Sequence, residues 1–268
     1  MQRRVSLTLM AISLITLTTD FGSGSAYAAA LKGSLLRVAP TATVLDLTHA
    51  MAPQDLRMAA WFLVETLPWF PKNSLHIVVV DPGVGSQREL LYIEGKGQKI
   101  LAPDNGCWTL AVPQPEKVIR LKEKQWWNPS VSATFHGRDI LAPVAGHLHS
   151  GISPMELGPA APEWVKLPQP APVNNHGILT GEITWVDSFG NLISNIPFEA
   201  LSVAGYCLAG GQSIGNRCLH YAQFPPGELV YLPSSGGYLE IAKVNGSAAG
   251  QLHLRPGGTV SFHPQGQP

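Results

Sequence analysis

The stretch Leu75-His76-Ile77-Val78-Val79-Val80, followed directly by Asp81-Pro82-Gly83-Val84-Gly85, decides how this chain is read. Three consecutive valines at the end of an apolar run, stopped by Pro and Gly, predict a central strand buried on both faces, as parallel sheets require. Upstream, Leu56, Ala59, Ala60, Leu63 and Leu67 recur at the helical period, with Asp55 placed to cap the helix and Pro68 to end it. Residues 43–47 form another strand. Residues 25–38 are rich in Ala and Leu and stop at Pro40, so they predict a helix. Residues 14–18 are an apolar, β-branched strand ending in Asp20-Phe21-Gly22. Strand–helix–strand–helix–strand implies a parallel sheet with right-handed crossovers. Downstream, 90–94 and 99–101 flank Gly95-Lys96-Gly97 as a hairpin, 118–121 is a short strand, and 139–149 is a helix.

Beyond this unit the helical period disappears. Pro159, Pro162, Pro168, Pro170 and Pro172 lead into Asn174, Asn175 and Gly177, a composition expected of a linker at 166–176. Residues 178–186, 192–196, 229–232, 238–242 and 259–262 then read as short strands between Gly/Pro turns. The expected architecture is an α/β N-terminal domain (13–165) with a mostly parallel central sheet, plus a smaller all-β, barrel-like C-terminal domain (177–268). Residues 1–12 are an extension.

Of 268 residues, 45% are hydrophobic and 13% charged, enough apolar surface for sizeable cores and too little charge for a disordered chain. Lys+Arg and Asp+Glu are both 18, so the net charge is zero. That excludes the basic excess of a nucleic-acid binder and electrostatic capture by an anionic membrane. Gly 27 and Pro 23 point to many tight turns. The expected ligand is a small molecule held by loops. Cys107, Cys207 and Cys218 are too few for a disulfide framework and lack Cys-x-x-Cys spacing, so they read as reduced structural thiols.

The N-terminus imitates a secretory signal. Arg3 and Arg4 precede an apolar run, and Ala26-Tyr27-Ala28 resembles a cleavage site. Ser6, Thr8, Ser13, Thr16, Thr18 and Thr19 dilute the run, however, and Asp20 with two glycines interrupts the approach to Ala28. A mature first strand and a cytoplasmic protein are expected. No stretch reaches the ~18 apolar residues of a membrane span.

Ligands of open α/β sheets bind outside the carboxyl ends of the strands. Asp20 and Asp81 fall there. Asp20 orders the turn or caps the following helix, or, in the functional reading, grips ribose hydroxyls. The loop Asp81-Pro82-Gly83-Val84-Gly85-Ser86-Gln87-Arg88 brings an acid and an arginine within reach, as a structural ion pair or a functional one. Phe135-His136-Gly137-Arg138-Asp139 adds a histidine from a third connection; His, Asp and Arg converging at one sheet edge suit the activation of water. A metal reading of Asp20, Asp81, His136 and Asp139 lacks His spacing at i, i+4. His147 and His149 read as structural. In the second half, Asp187-Ser188-Phe189-Gly190-Asn191 is a hairpin turn, or a platform where Phe189 stacks on a flat ring and Asn191 hydrogen-bonds it. The stretch 234–243, with Ser235, Glu240 and Lys243, is a backbone-rich loop entering a strand.

Taken in order, these motifs, with Leu17-Thr18-Thr19-Asp20-Phe21-Gly22, Ala142-Pro143-Val144-Ala145 and Gly237-Tyr238-Leu239-Glu240-Ile241-Ala242, resemble the S-adenosylmethionine hydroxide adenosyltransferase family, relatives of the bacterial fluorinase and chlorinase. The similarity runs from about residue 14 to the C-terminus, with gaps in the linker and around 200–225. It implies an α/β domain, a β-barrel domain and a homotrimer with ligand sites between subunits. It also implies that S-adenosyl-L-methionine (SAM) is hydrolysed to adenosine and methionine without metal or other cofactor. Asp81, Arg88 and His136 match the catalytic set. Asp20 matches the ribose-binding aspartate, and Asp187, Phe189, Asn191, Ser235, Glu240 and Lys243 the adenosine and methionine contacts. Two departures stand out: Ser23-Gly24-Ser25 replaces more usual charged residues, and Lys243-Val244-Asn245-Gly246 scrambles the usual order. A halogenase is the alternative within the family, but a halide needs neutral donors and Asp81 would repel it. A non-catalytic SAM or adenosine binder and a metal-dependent hydrolase are alternatives from other classes.

Overall fold

The computed structural model describes residues 12–168, 171–201 and 204–265. The chain divides into two compact units at Leu167–Pro168.

The first unit holds a six-stranded sheet. Its elements are β1 (Ile15–Thr19), α1 (Ala26–Val38), β2 (Val44–Thr48), α2 (Leu56–Thr66), β3 (Leu75–Val79), β4 (Leu90–Gly95), β5 (Gln98–Pro103), β6 (Lys117–Arg120) and α3 (Ala142–His149). The spatial order is β2-β1-β3-β5-β4-β6. β2, β1, β3 and β5 run parallel. β4 returns antiparallel to β5 and to β6. β3 alternates as a doubly covered strand must: Leu75, Ile77 and Val79 face a core shared with Leu31 and Leu35 of α1 and Val144 and Leu148 of α3. Val78 and Val80 face a second core with Ala59 and Leu63 of α2 and Trp108. Each such fully buried aliphatic side chain is worth about 1.5–3 kcal/mol.

The helix boundaries follow local chemistry. Ser25 caps α1 by accepting from Tyr27 N, and Asp55 caps α2 by accepting from Met58 N at 2.8 Å. The helix expected at 139–149 starts earlier, with a π-type turn over Gly137–Leu141 that runs into α3. Pro143 fits there because the first turn of an α-helix needs no donor. His147 packs on Trp126 with ring centroids 4.9 Å apart, and His149 Nδ1 lies 3.0 Å from Ile12 O, both structural contacts. Of the expected extension 1–12, only Ile12 lies within the described residues.

The second unit contains β7 (Val173–Asn175), β8 (Ile178–Val186), β9 (Leu192–Pro197), β10 (Gly205–Ala209), β11 (Gln212–Ile214), β12 (Leu229–Pro233), β13 (Tyr238–Lys243), the short helix α4 (Ala248–Leu252) and β14 (Thr259–Pro264). The order is β11-β10-β14-β8-β9-β13-β12, with β7 paired to β8. A bridge from Arg217 to Tyr231 joins the segment after β11 to β12, so the sheet curls toward closure around Ile183, Tyr231, Ile241 and Phe262. Three corrections to the sequence reading follow. The expected linker 166–176 contains β7, so the barrel-like sheet begins at Val173 rather than 177. β10 and β11 form a hairpin that short polar-flanked sequence did not reveal. The helix α4, five residues long, is too short to show a period. All three cysteines are buried and free. Among the described residues no helix is long and apolar enough to cross a membrane.

Candidate active site

Because β1 and β3 are parallel neighbours in register Thr19↔Val79, the residues that follow them emerge side by side at one sheet edge. Asp20 N donates to Val79 O at 3.4 Å, and Asp20 Oδ2 accepts from Gln54 N at 2.8 Å. Of the two structural roles open to Asp20, capping is therefore excluded, since Ser25 performs it. Asn105, just past β5, donates from Nδ2 to Val80 O at 2.9 Å and fixes the peptide before Asp81.

Asp81, Arg88 and His136 come together. Arg88 Nε donates to Asp81 Oδ1 and Oδ2, each at 3.0 Å, and Arg88 Nη2 donates to Asp81 Oδ2 as well. Arg88 Nη2 also donates to His136 Nδ1 at 3.0 Å. The side chains of Arg88 and Asp81 are only 10% and 8% exposed, so the pair is desolvated and leaving either ion alone would be costly. Guanidinium is an obligate donor, so His136 Nδ1 is an acceptor, and neutral His136 carries its proton on Nε2. Burial first, and then the Arg88 cation, hold the imidazole below its ordinary pKa, keeping it neutral at pH 7.

Gly85 locks the loop to its partner. It sits at φ 81°, and a Cβ there would stand 2.7 Å from Ala133 O, in the segment leading to His136. The close approach this glycine permits is thus to backbone of the same unit. Asp139, the fourth member of the metal reading, is taken up elsewhere. It accepts from Arg138 Nε and Nη2 at 2.7 Å, from Ser132 N at 2.9 Å and from Asn128 Nδ2 at 3.2 Å. The thiol of Cys107 is fully enclosed and pushed up to about 12 by burial, then by the Asp81 charge, which suits no nucleophile.

In the second unit the β8–β9 turn is built by Asp187. Its Oδ1 accepts from Phe189 N at 2.9 Å and Asn191 N at 2.8 Å, while Oδ2 accepts from Asn191 Nδ2 at 2.9 Å. Phe189 is left 77% exposed at the tip. A pocket of about 480 Å³ opens beside it, lined by Asp187, Phe189, Asn191, Tyr221, Lys243, Asn245 and Gly246. Glu240 reaches this pocket indirectly: buried, its carboxylate raised above the usual range by burial, it accepts from Tyr221 Oη at 2.6 Å. Ser235 lies exposed on the β12–β13 turn, outside this lining. Tyr221 was missed by sequence reasoning. It falls in the 200–225 stretch with no strand pattern, and its partnership with Glu240 is purely tertiary.

The class defined by these features is a protein with an α/β unit bearing an Asp–Arg–His trio beside its parallel strand ends and a barrel-like unit whose β8–β9 turn exposes Phe189 beside a pocket. The chain belongs to the SAM hydroxide adenosyltransferase family: residues 15–158 match that family's N-terminal domain and residues 181–261 its C-terminal domain. It is 35% identical to the (R)-S-adenosyl-L-methionine hydrolase of Salinispora arenicola, over 91% of this chain and 95% of that one. It is 36% identical to the protein of the same name from Thermus thermophilus, over 89% and 95%. A fluorinase of Actinoplanes sp. is more distant, at 26% identity over 92% and 96%. Among solved structures, an uncharacterized conserved protein from Thermotoga maritima superposes with a TM-score of 0.87 at 31% identity, covering 92% of this chain and 99% of that one.

Proposed function

We propose that the protein hydrolyses SAM to adenosine and methionine, with water attacking ribose C5′ in line with the departing sulfur. The new bond is C5′–O and the broken bond is C5′–S. The electron pair returns to sulfur, so methionine leaves as a neutral thioether and needs no acid; one proton of water must be taken up. The observation that carries this reading is the buried Asp81–Arg88 pair with His136 held 3.0 Å from Arg88. In it Asp81 is the anionic proton acceptor, Arg88 stabilises hydroxide character, and the Nε2–H of His136 is the donor that orients the water oxygen. Such positioned proton transfer typically contributes ~100- to 10,000-fold.

Phe189, Asn191 and Asp187 hold the adenine, Asp20 the ribose, and Glu240, Lys243 and Ser235 the remaining polar groups. The chemistry calls for no metal or redox cofactor, because the sulfonium is already an activated leaving group. An enclosed carboxylate at Asp81 disfavours a halide nucleophile, and this weighs against the halogenase reading. The exposure of Phe189 fits a homotrimer with ligand sites between subunits, in which a neighbouring copy covers the ring. The position of β1 supports a cytoplasmic location, since cleavage after Ala28 would remove a strand flanked on both sides by β2 and β3, together with Asp20.

The test is SAM turnover in oxygen-18 water, with and without chloride. Label in adenosine, unchanged by chloride, is expected. Label only in methionine, S-adenosylhomocysteine as product, or a chlorinated nucleoside would overturn the reading.

A further inference from the structure

At the other end of the same sheet, the β4–β5 hairpin turn, the end of α2 and the loop before β3 enclose a second cavity of about 250 Å³. Its floor is aliphatic, formed by Leu63, Leu67, Ala111 and Val112. The polar group at its base, Gln98, has no N–H to spare for an anion: Nε2 donates to Leu67 O and Phe70 O, and Oε1 faces His76 Nε2. The mouth carries Lys72 and Lys96, both exposed. These two ammonium-bearing segments are tied together, since Asn73 N donates to Gly97 O at 2.7 Å and the Lys72 stem lies over Gly97. Among the described residues neither ammonium has an ion-pair partner, and none of the residues lining the cavity is acidic. Trp69, between the lining residues Pro68 and Phe70, is 81% exposed.

Two lysines lining one cavity without a counter-charge, together with a floor whose amide N–H groups are already taken, define what fits: an apolar body below and one anionic group at the mouth. A dry cavity of roughly 150 Å³ holds benzene, so this larger one accommodates about six to eight carbons. We propose that this cavity is a second binding site, separated from Asp81 by the length of β3, for a small amphipathic carboxylate with a short aliphatic or aromatic body. The site does not depend on the hydrolase reading.

Octanoate, octanol and octylamine are matched probes for titration into the full-length protein, followed by methyl NMR of Leu67 and Val112 and by calorimetry. Octanoate is expected to bind at least about tenfold more tightly than octanol, and octylamine most weakly. The double variant Lys72→Gln/Lys96→Gln should bring octanoate down to octanol's affinity while leaving octanol unchanged. Ala111→Leu, which fills the floor, should abolish both; if that variant fails to fold, the exposed lysine pair decides. SAM turnover should stay at its wild-type rate in the lysine variant. Equal affinity for the three probes, no binding up to their solubility, or octanoate binding that survives Ala111→Leu would overturn the proposal. So would methyl shifts that follow protein concentration instead of octanoate, because a second copy of the chain would then fill the cavity.

Discussion

Arg88 is the residue on which the N-terminal site turns, because one planar fork serves both a carboxylate and an imidazole. A lysine keeps the charge but cannot make both contacts. Arg88→Lys, Asp81→Asn and His136→Ala are each expected to slow the chemical step by at least about tenfold while adenosine affinity changes little. Single-turnover rates and adenosine titrations on the same variants check this; wild-type turnover in all three would make the trio structural. Asn191→Ala should do the opposite, weakening adenosine binding by about 1–3 kcal/mol, because the amide is lost and Asp187 loses a donor with it. A second histidine reports on stability. His76 is fully buried between Thr16 Oγ1 at 2.7 Å and Gln98 Oε1 at 3.2 Å, and burial lowers its pKa to about 4, against the Gln98 hydrogen bond. The unfolded imidazole takes a proton near pH 6.5 and the folded one only near 4. Between those values the unfolded state binds more protons, so this contribution is complete above pH 6.5 and is lost as pH falls. The full effect is about 3 kcal/mol. In denaturant titrations at pH 7.5 and 4.5, wild type should lose more stability than His76→Gln, although the variant starts lower.

Elements meet the site through backbone as much as side chains. Gly85→Ala places a left-handed alanine, costing about 1–2 kcal/mol, and drives a methyl into Ala133 O. It should destabilise the fold by at least about 1 kcal/mol and reduce turnover by more than tenfold, since Arg88 and His136 are carried by the two segments pushed apart. Gly83→Ala is the control: its Cβ would meet Arg88 Cγ no closer than 3.4 Å, so thermal stability should hardly change. The second unit has a parallel case. A Cβ at Gly190, φ 82°, would come within 3.0 Å of Ser247 Cα and closer still to its hydroxyl, which caps α4 by accepting from Gly250 N. Gly190→Ala should lower both melting temperature and adenosine affinity. Unchanged values of both would show that α4 and the β8–β9 turn are independent.

For the whole molecule the expectation concerns assembly. Three copies of a 28.7 kDa chain give about 86 kDa by light scattering or sedimentation equilibrium. If ligand sites lie between subunits, activity per chain should fall on dilution in step with the loss of that species. A fully active 28.7 kDa monomer would refute the homotrimer and the shared sites together.

How much was legible in the sequence depended on whether the signal was local. The α/β unit was readable because β3 alternates between two cores, α2 carries its own cap and period, and the hairpin turn Lys96-Gly97 sits between two strand-like runs. Each of those patterns is complete within a few residues. The placement of Asp20 and Asp81 was readable too, since carboxyl ends of parallel strands gather at one edge whatever the details of packing, whereas His136 joins them from the start of a helical turn. What stayed hidden was decided by partners distant in the chain. β7, β10 and β11 are three to five residues long and exist because β8, β14 and β10, in turn, supply their hydrogen bonds. Tyr221 lines the pocket beside Phe189, and Glu240 reaches it only through Tyr221, 19 residues away. The tautomer of His136 is set by Arg88, 48 residues away, and the need for glycine at 85 by the carbonyl of Ala133. The sequence by itself determined which residue types stand at the strand ends. Only the tertiary structure decided which of their atoms donate, which accept and which are already taken, because hydrogen bonding and desolvation are properties of contacts that the linear order does not contain.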